Sequence, residues 1–94
     1  MFDLRVGAEG TVKFIGRLDA SEAERVLAAV RALGGPMTAD FSELEYISSA
    51  GLGLIIETHQ RLTRQGHSLR IVNLTPKVRN IFTYAGLDSV LRIE

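Results

Sequence analysis

The chain has 94 residues, with 11 Lys and Arg against 11 Asp and Glu, so its formal net charge is zero. This length has room for one domain, and the charge balance argues against a nucleic-acid or anionic-membrane binder. The absence of cysteine excludes a disulfide scaffold, a thiolate zinc site and a cysteine nucleophile. No apolar run approaches the ~20 residues of a membrane-spanning helix, and the acidic opening does not resemble a signal peptide. We expect a small cytoplasmic domain with no cofactor and no direct membrane insertion.

Charge is unevenly distributed along the chain. Residues 1–47 carry eight acidic and five basic side chains, whereas residues 48–94 carry three acidic and six basic ones. The net charges of the two segments are therefore −3 and +3, which is consistent either with chance or with a molecule whose faces have opposite charge.

The first third of the chain predicts a β-hairpin followed by a helix. Residues 2–6 alternate apolar and polar, a turn follows at Glu9-Gly10, and residues 11–15 form a second strand. Ser21 and Glu24 have the spacing of a capping box at the start of a helix. The apolar face of this helix comprises Ala23, Val26, Leu27 and Val30.

The remaining sequence alternates strands and helices. Residues 37–41 predict a short buried strand, residues 42–50 a loop, and a second helix runs from near Gly51 to Gly66. Residues 69–72 predict the next strand, and a third helix begins at Thr75-Pro76 and ends at Gly86. A short strand follows within 90–93. This order predicts an α/β fold with one mixed, mostly parallel sheet of four or five strands and three helices mainly on one face.

The second helix has one apolar and one polar face. Its predicted apolar residues are Leu52, Ile55, Ile56, His59 and Leu62. Its predicted polar residues are Glu57, Thr58, Gln60, Arg61 and Arg64. Leu54 falls off the apolar stripe, where it either contacts a partner or packs against a loop.

No catalytic motif is complete. The serines at 48 and 49 do not form a G-x-S-x-G elbow, and Gly51-x-Gly53 lacks the third glycine of a dinucleotide-binding loop. His59 is expected to be a packed, hydrogen-bonded histidine, and His67 to be solvated. The sequence therefore predicts a protein that is not an enzyme and binds no metal.

Polar residues are instead expected at one edge of the sheet. Asp19 follows the second strand, Asp40 lies at the end of the predicted third strand, and Ser48 and Ser49 precede the second helix. The carboxyl ends of parallel strands share one rim, where ligands and partners bind. Asp19, Ser48 and Ser49 are predicted to meet there, although helix capping alone also explains these residue types.

Three segments resemble one known family. The stretch from Asp40 to Leu54, DFSELEYISSAGLGL, looks like the signature of STAS domains and is most similar to that of anti-sigma factor antagonists. Gly16-Arg17-Leu18-Asp19 and the segment from Thr75 to Leu87 are similar to two further family segments. The resemblance covers essentially the whole chain and implies one STAS domain over residues 1–94.

The resemblance implies a binding module controlled by phosphorylation. In the family, the antagonist binds an anti-sigma factor that is also a GHKL-type serine kinase, which releases the sigma factor, and a phosphatase removes the phosphate. The phosphorylated serine aligns with Ser49, and the neighbouring aspartate with Asp19. Many members carry aspartate where this chain has Ser48, so Ser48 is a second, less favoured acceptor.

The resemblance also suggests a partner-binding surface. The residues assigned to it are Asp19, Ser48, Ser49, Gly51, Gly53, Leu54, Glu57, Thr58 and Arg61. An ordinary solvated helix face is the alternative for the last three of these residues. The alternative function is a non-catalytic STAS subunit of a larger assembly, such as the partner of a lipid-transport ABC ATPase or a stress-signalling scaffold.

Overall fold

The computed structural model describes residues 1–94 and contains five strands and three α-helices. In chain order these are β1 (Phe2–Val6), β2 (Thr11–Leu18), α1 (Ala20–Arg31), β3 (Met37–Ile47), α2 (Ser49–Arg64), β4 (Leu69–Val72), α3 (Pro76–Tyr84) and β5 (Arg92–Ile93). Short 3₁₀ turns at Ala8–Gly10 and Leu87–Ser89 complete the chain.

All five strands form one sheet whose spatial order, β1-β2-β3-β4-β5, is the order of the sequence. β1 is antiparallel to β2, and every later pair is parallel. Each parallel pair is joined through one helix, and because such crossovers are right-handed, three crossovers in the same direction place the helices on the same face. The predicted fold class is confirmed.

The core lies between this face and the helices. A column of four aromatic rings crosses it, with centroid distances of 5.9 Å for Phe2–Phe14, 5.1 Å for Phe14–Phe41 and 5.9 Å for Phe41–Phe82. The first two pairs are edge-to-face and the third is tilted, and edge-to-face pairs contribute about 0.5–1.5 kcal/mol each beyond the area that they bury. The column therefore connects β1, β2, β3 and α3.

β3 is longer than the sequence predicts. Residues 42–47 belong to the strand, so the predicted loop over 42–50 is wrong, and Asp40 lies inside the strand rather than at its end. The pairing of β3 with β2 shifts twice, each time leaving one additional residue on β3. These β-bulges space the buried residues Phe41, Leu44 and Ile47 three apart. The alternation of period two that identifies a strand is therefore lost.

The entry into α1 also differs from the prediction. β2 continues to Leu18, beyond the predicted end at residue 15, and Asp19 is the N-cap of the helix. The Asp19 carboxylate accepts a hydrogen bond from the Ser21 backbone N–H at 3.1 Å. The Ser21–Glu24 capping box is wrong, because the Ser21 hydroxyl donates to Asp19 at 2.6 Å instead of capping the helix.

None of the three helices is long and apolar enough to cross a membrane. No group of three or more His, Asp and Glu side chains has a geometry that could hold a metal ion.

Candidate functional site

The carboxyl ends of β2 and β3 are joined directly to the start of α2. The Ser48 backbone N–H donates to the Leu18 carbonyl at 2.9 Å, so the residue before α2 is held against the residue before Asp19. The structure thereby places Asp19, Ser48 and Ser49 at the same rim of the sheet, as the sequence predicts. Asp40 lies inside β3, seven residues before the last strand residue Ile47, and is not part of this rim.

The two serines at the rim have different environments. Ser48 is the N-cap of α2, and its hydroxyl accepts a hydrogen bond from the Gly51 N–H at 3.2 Å. Ser49 is the first residue of the helix, and it is exposed. Its hydroxyl has no hydrogen-bond partner within the chain, whereas that of Ser48 serves the helix. Of the two, Ser49 presents the accessible hydroxyl.

Asp19 supplies a fixed negative charge beside these serines. The hydrogen bond from the Ser21 hydroxyl is the main reason that the pKa of Asp19 lies below its ordinary value, and backbone N–H groups of Glu22 and Ser21 act in the same direction. Asp19 is therefore fully ionised at neutral pH.

Gly51 and Gly53 are not equivalent. Gly51 is buried, and a Cβ atom there would lie 2.6 Å from Ile47 Cγ1 and 3.1 Å from the Leu18 carbonyl oxygen. Glycine at this position allows the first turn of α2 to approach the strand ends, so packing within the chain accounts for it. Contact of Gly51 with a partner stays a prediction. Gly53 is exposed, and a Cβ atom there would meet nothing within 4 Å.

Leu54 and Thr58 are also largely buried in the folded chain. Leu54 is 4% exposed and Thr58 2% exposed, and the Thr58 hydroxyl donates to the Leu54 carbonyl at 2.8 Å. The prediction that Thr58 lies on the polar face of α2 is wrong, because α2 packs against both the sheet and α1. Its buried face is consequently wider than a single amphipathic stripe. Contact of Leu54 with a partner stays a prediction.

Glu57 and Arg61 connect α2 to the C-terminal half of α1. Glu57 forms an ion pair with Arg31, and the Arg61 guanidinium donates to the Val30 carbonyl at 3.3 Å. Glu57 Oε2 and Arg61 Nε are shielded from solvent and have no hydrogen-bond partner. Both residues are therefore interhelix contacts, a role that their sequence positions did not predict.

A groove between α1 and α2 opens beside the rim. Its volume is about 360 Å³, and its lining comprises Ala23, Glu24, Leu27, Ala50, Gly53, Leu54 and Glu57. The contribution of α1 to this surface was not predicted from the sequence. The signal that could have revealed it is the set of small residues, alanine and glycine, that the two helices place opposite each other.

One known protein family matches almost the whole chain. The family model described as "Mlab, STAS domain" matches residues 3–92. The chain belongs to the STAS domain family.

Relatives of this STAS domain include anti-sigma factor antagonists. The anti-sigma-B factor antagonist of Bacillus subtilis is 28% identical over 61 residues, which is 65% of this chain and 56% of the relative, so the match spans little more than half of that protein. The unphosphorylated form of the anti-sigma factor antagonist SpoIIAA superposes with a TM-score of 0.79 at 23% identity, covering 100% of this chain and 88% of the other. The phosphorylated form of Bacillus SpoIIAA gives 0.72 at 22% identity, with 100% and 91% covered.

The histidines of the STAS domain lie away from the rim serines in sequence. His59 is half-buried, as its place on the apolar face predicts, but its Nδ1 atom has no hydrogen-bond partner, so the predicted hydrogen bond is absent. His67 is exposed, in agreement with the prediction.

A second concavity, of about 570 Å³, lies between the bulged part of β3 and the start of α3. Its lining comprises Ile15, Ser42, Glu43, Leu44, Glu45, Thr75 and Lys77, so it shares no residue with the rim or with the groove between α1 and α2.

Proposed function

We propose that this STAS domain is an anti-sigma factor antagonist whose binding is switched off by phosphorylation of Ser49. Its partner is an anti-sigma factor of the GHKL serine-kinase type, a phosphatase resets the switch, and the site of action is the cytoplasm, where the kinase has ATP. The observation that carries the proposal is the exposed, unbonded hydroxyl of Ser49 at the rim. The similarity to the Bacillus subtilis antagonist supports the choice of partner.

Phosphorylation of Ser49 would act on the partner and not on the fold. A phosphoserine adds about −1.5 to −2 charges at pH 7. The free N–H groups and the dipole at a helix N-terminus favour an anion, so α2 itself tolerates the phosphate. The added volume and charge would instead oppose a partner surface that fits a hydroxyl, and the ionised Asp19 nearby increases the local negative charge.

The geometry favours Ser49 over Ser48 as the acceptor. The Ser48 hydroxyl caps α2 through the Gly51 N–H and is half-buried. A kinase acting on Ser48 would have to break this cap and expose the side chain, whereas the Ser49 hydroxyl needs neither step.

The test measures binding to a purified GHKL-type anti-sigma factor from the same organism. Ser49→Asp is expected to weaken binding about 100-fold, equivalent to ~2.8 kcal/mol, and Ser49→Ala to bind normally while accepting no phosphate from the kinase and ATP. Ser48→Ala is the matched control and should still be phosphorylated. Phosphate found by mass spectrometry on Ser48 alone would refute the assignment of the acceptor, and normal binding by Ser49→Asp would refute the switch.

A second candidate is the non-switching STAS subunit of a larger assembly, such as the partner of a lipid-transport ABC ATPase. Two observations favour it: the matching family description names Mlab, and Ser48 replaces the aspartate that many antagonists carry. Stable co-purification with an ATPase subunit, unaffected by Ser49→Asp, would select this candidate.

A further inference from the structure

The groove between α1 and α2 has an apolar floor and lies within one helical turn of Ser49. Its apolar lining includes Ala23 and Leu27 from α1 and Leu54 from α2, of which Leu54 is 4% exposed. Ala50 and Gly53 form the wall on the α2 side, and both are exposed. The floor is therefore continuous with the rim where the proposed partner binds.

Gly53 keeps this groove open, although the packing of the fold does not require a glycine there. A Cβ atom at Gly53 would meet nothing within 4 Å, so no packing contact requires the glycine. Glycine inside a helix lowers stability relative to alanine, and here the fold gains nothing in return. The contrast with Gly51, where a Cβ atom would lie 2.6 Å from Ile47, shows that only one of the two glycines is required by packing.

Carboxylates border the groove on both helices. Glu24 is exposed and takes part in none of the ion pairs of the chain. Glu57 pairs with Arg31 through one oxygen, while its second oxygen, Oε2, is shielded from solvent and has no donor. No cationic side chain lines the groove, so an occupant that brings a positively charged donor would be complementary to it.

We propose that this groove receives one apolar side chain of the protein partner, flanked by a lysine or arginine that pairs with Glu24. The inference rests on the proposed function, because it takes the anti-sigma factor as the occupant. The partner would then contact a continuous surface from the Ser49 rim across the α1–α2 groove. Such binding requires the groove to be empty in the free protein.

A protein side chain fits these observations better than a small polar ligand does. The volume of about 360 Å³ is at the lower end of the ~300–1,000 Å³ of small-molecule pockets. Such pockets fix the orientation of a ligand through several convergent polar groups, whereas the only charged groups here are two carboxylates on the border. An apolar anchor with a flanking cation needs no other polar partner.

The first test fills the groove. Gly53→Ala and Gly53→Leu should weaken binding of the purified anti-sigma factor progressively, with the leucine variant losing at least tenfold by calorimetry. Ala29→Leu is the matched control, since Ala29 is an exposed α1 residue outside the groove, and its affinity should be unchanged. The melting temperature of Gly53→Ala should equal or exceed that of the unmodified protein, which separates lost binding from lost folding.

The second test reverses the charge. Glu24→Lys should weaken binding severalfold, and it should reduce the loss of affinity that accompanies increasing salt. Glu24→Gln should give an intermediate affinity.

The outcomes distinguish this inference from the proposed function. If Ser49→Asp abolishes binding while Gly53→Leu and Glu24→Lys bind normally, the groove is not part of the interface and the inference is wrong, although the proposed function stands. If Gly53→Leu abolishes binding and Ser49→Asp does not, the groove is the docking site and the phosphorylation switch is wrong. Absence of binding by the unmodified protein would refute both.

Discussion

The two glycines of the Gly51-Leu52-Gly53 segment make opposite contributions to stability. At Gly51 the helix approaches Ile47 and Leu18 so closely that no side chain fits, whereas at Gly53 the space beyond the helix is open. The first glycine is required for packing, and the second lowers helix stability without a compensating contact.

Alanine substitutions should therefore shift stability in opposite directions. Gly51→Ala is expected to lower the free energy of unfolding by about 1–3 kcal/mol, because the added methyl group overpacks the start of α2. Gly53→Ala is expected to raise it by about 0.5–1 kcal/mol, the usual advantage of alanine over glycine in a helix. Urea denaturation measures both values. Shifts of the same sign would show that the two sites do not differ in packing.

This difference could not be predicted from the sequence. Two glycines separated by one residue look alike, and the atoms that exclude a side chain at Gly51 belong to β2 and to the end of β3. The same limit applies to Thr58, which is polar in sequence but satisfies its hydroxyl on the Leu54 carbonyl of its own helix and is therefore buried.

At the level of the secondary-structure elements, Ser48 determines where α2 begins. Its hydroxyl caps the helix by accepting from the Gly51 N–H. Serine and aspartate are about equally good N-cap residues. The presence of serine here, where many antagonists have aspartate, therefore preserves the cap while it removes one negative charge from the rim.

Capping predicts how stability responds to changes at Ser48. Ser48→Ala should lower the free energy of unfolding by about 1 kcal/mol, whereas Ser48→Asp should leave it nearly unchanged. Thermal unfolding followed by circular dichroism is the measurement, with Ser49→Ala as the neighbouring control, since the Ser49 hydroxyl caps nothing. Equal melting temperatures for Ser48→Ala and the unmodified protein would contradict the capping role.

Elements defined by sequence signals within the element itself were predicted well, whereas elements whose limits depend on pairing with another strand were not. α3 follows its prediction closely, because Thr75 caps it through the Val78 N–H at 3.4 Å and Pro76 occupies its first turn. β3 was truncated in the prediction because its bulges exist only in the register with β2. That register could not be predicted from a single sequence.

At the scale of the whole molecule, three carboxyl groups link stability to pH. Hydrogen bonds from Ser21 lower the pKa of Asp19, and those from Arg70 lower the pKa of Glu94. Partial burial acts to raise the pKa of Asp40, but hydrogen bonds from Ser42 and Asn73 and the charge of Lys13 together outweigh it, so this pKa is also lowered. All three groups bind a proton less readily in the folded chain than in the unfolded one.

Because these three pKa values are lower in the folded chain than in the unfolded chain, we expect acid to destabilise the protein. A carboxyl group with a lowered native pKa contributes stability above its unfolded value, which is about 3.9 for Asp and 4.3 for Glu. We expect nearly constant stability above about pH 5 and a progressive loss as the pH falls through these unfolded values towards the lower native ones. Urea midpoints measured from pH 7 to pH 3 test this expectation. Asp40→Asn should show a shallower decline, and a decline as steep as that of the unmodified protein would exclude Asp40 as a contributor.

Because the strands lie side by side in the order in which they are synthesised, the two halves of the chain occupy opposite sides of the molecule. Residues 1–47 supply β1, β2, α1 and β3, and residues 48–94 supply the remaining elements. The −3 and +3 of the two halves therefore form a permanent electric dipole directed across the sheet, and Ser49 stands at the boundary between its poles. The field of a charged partner exerts a torque on this dipole, and the torque can orient the protein before contact. The torque acts only over a Debye length, which is about 8 Å at physiological salt.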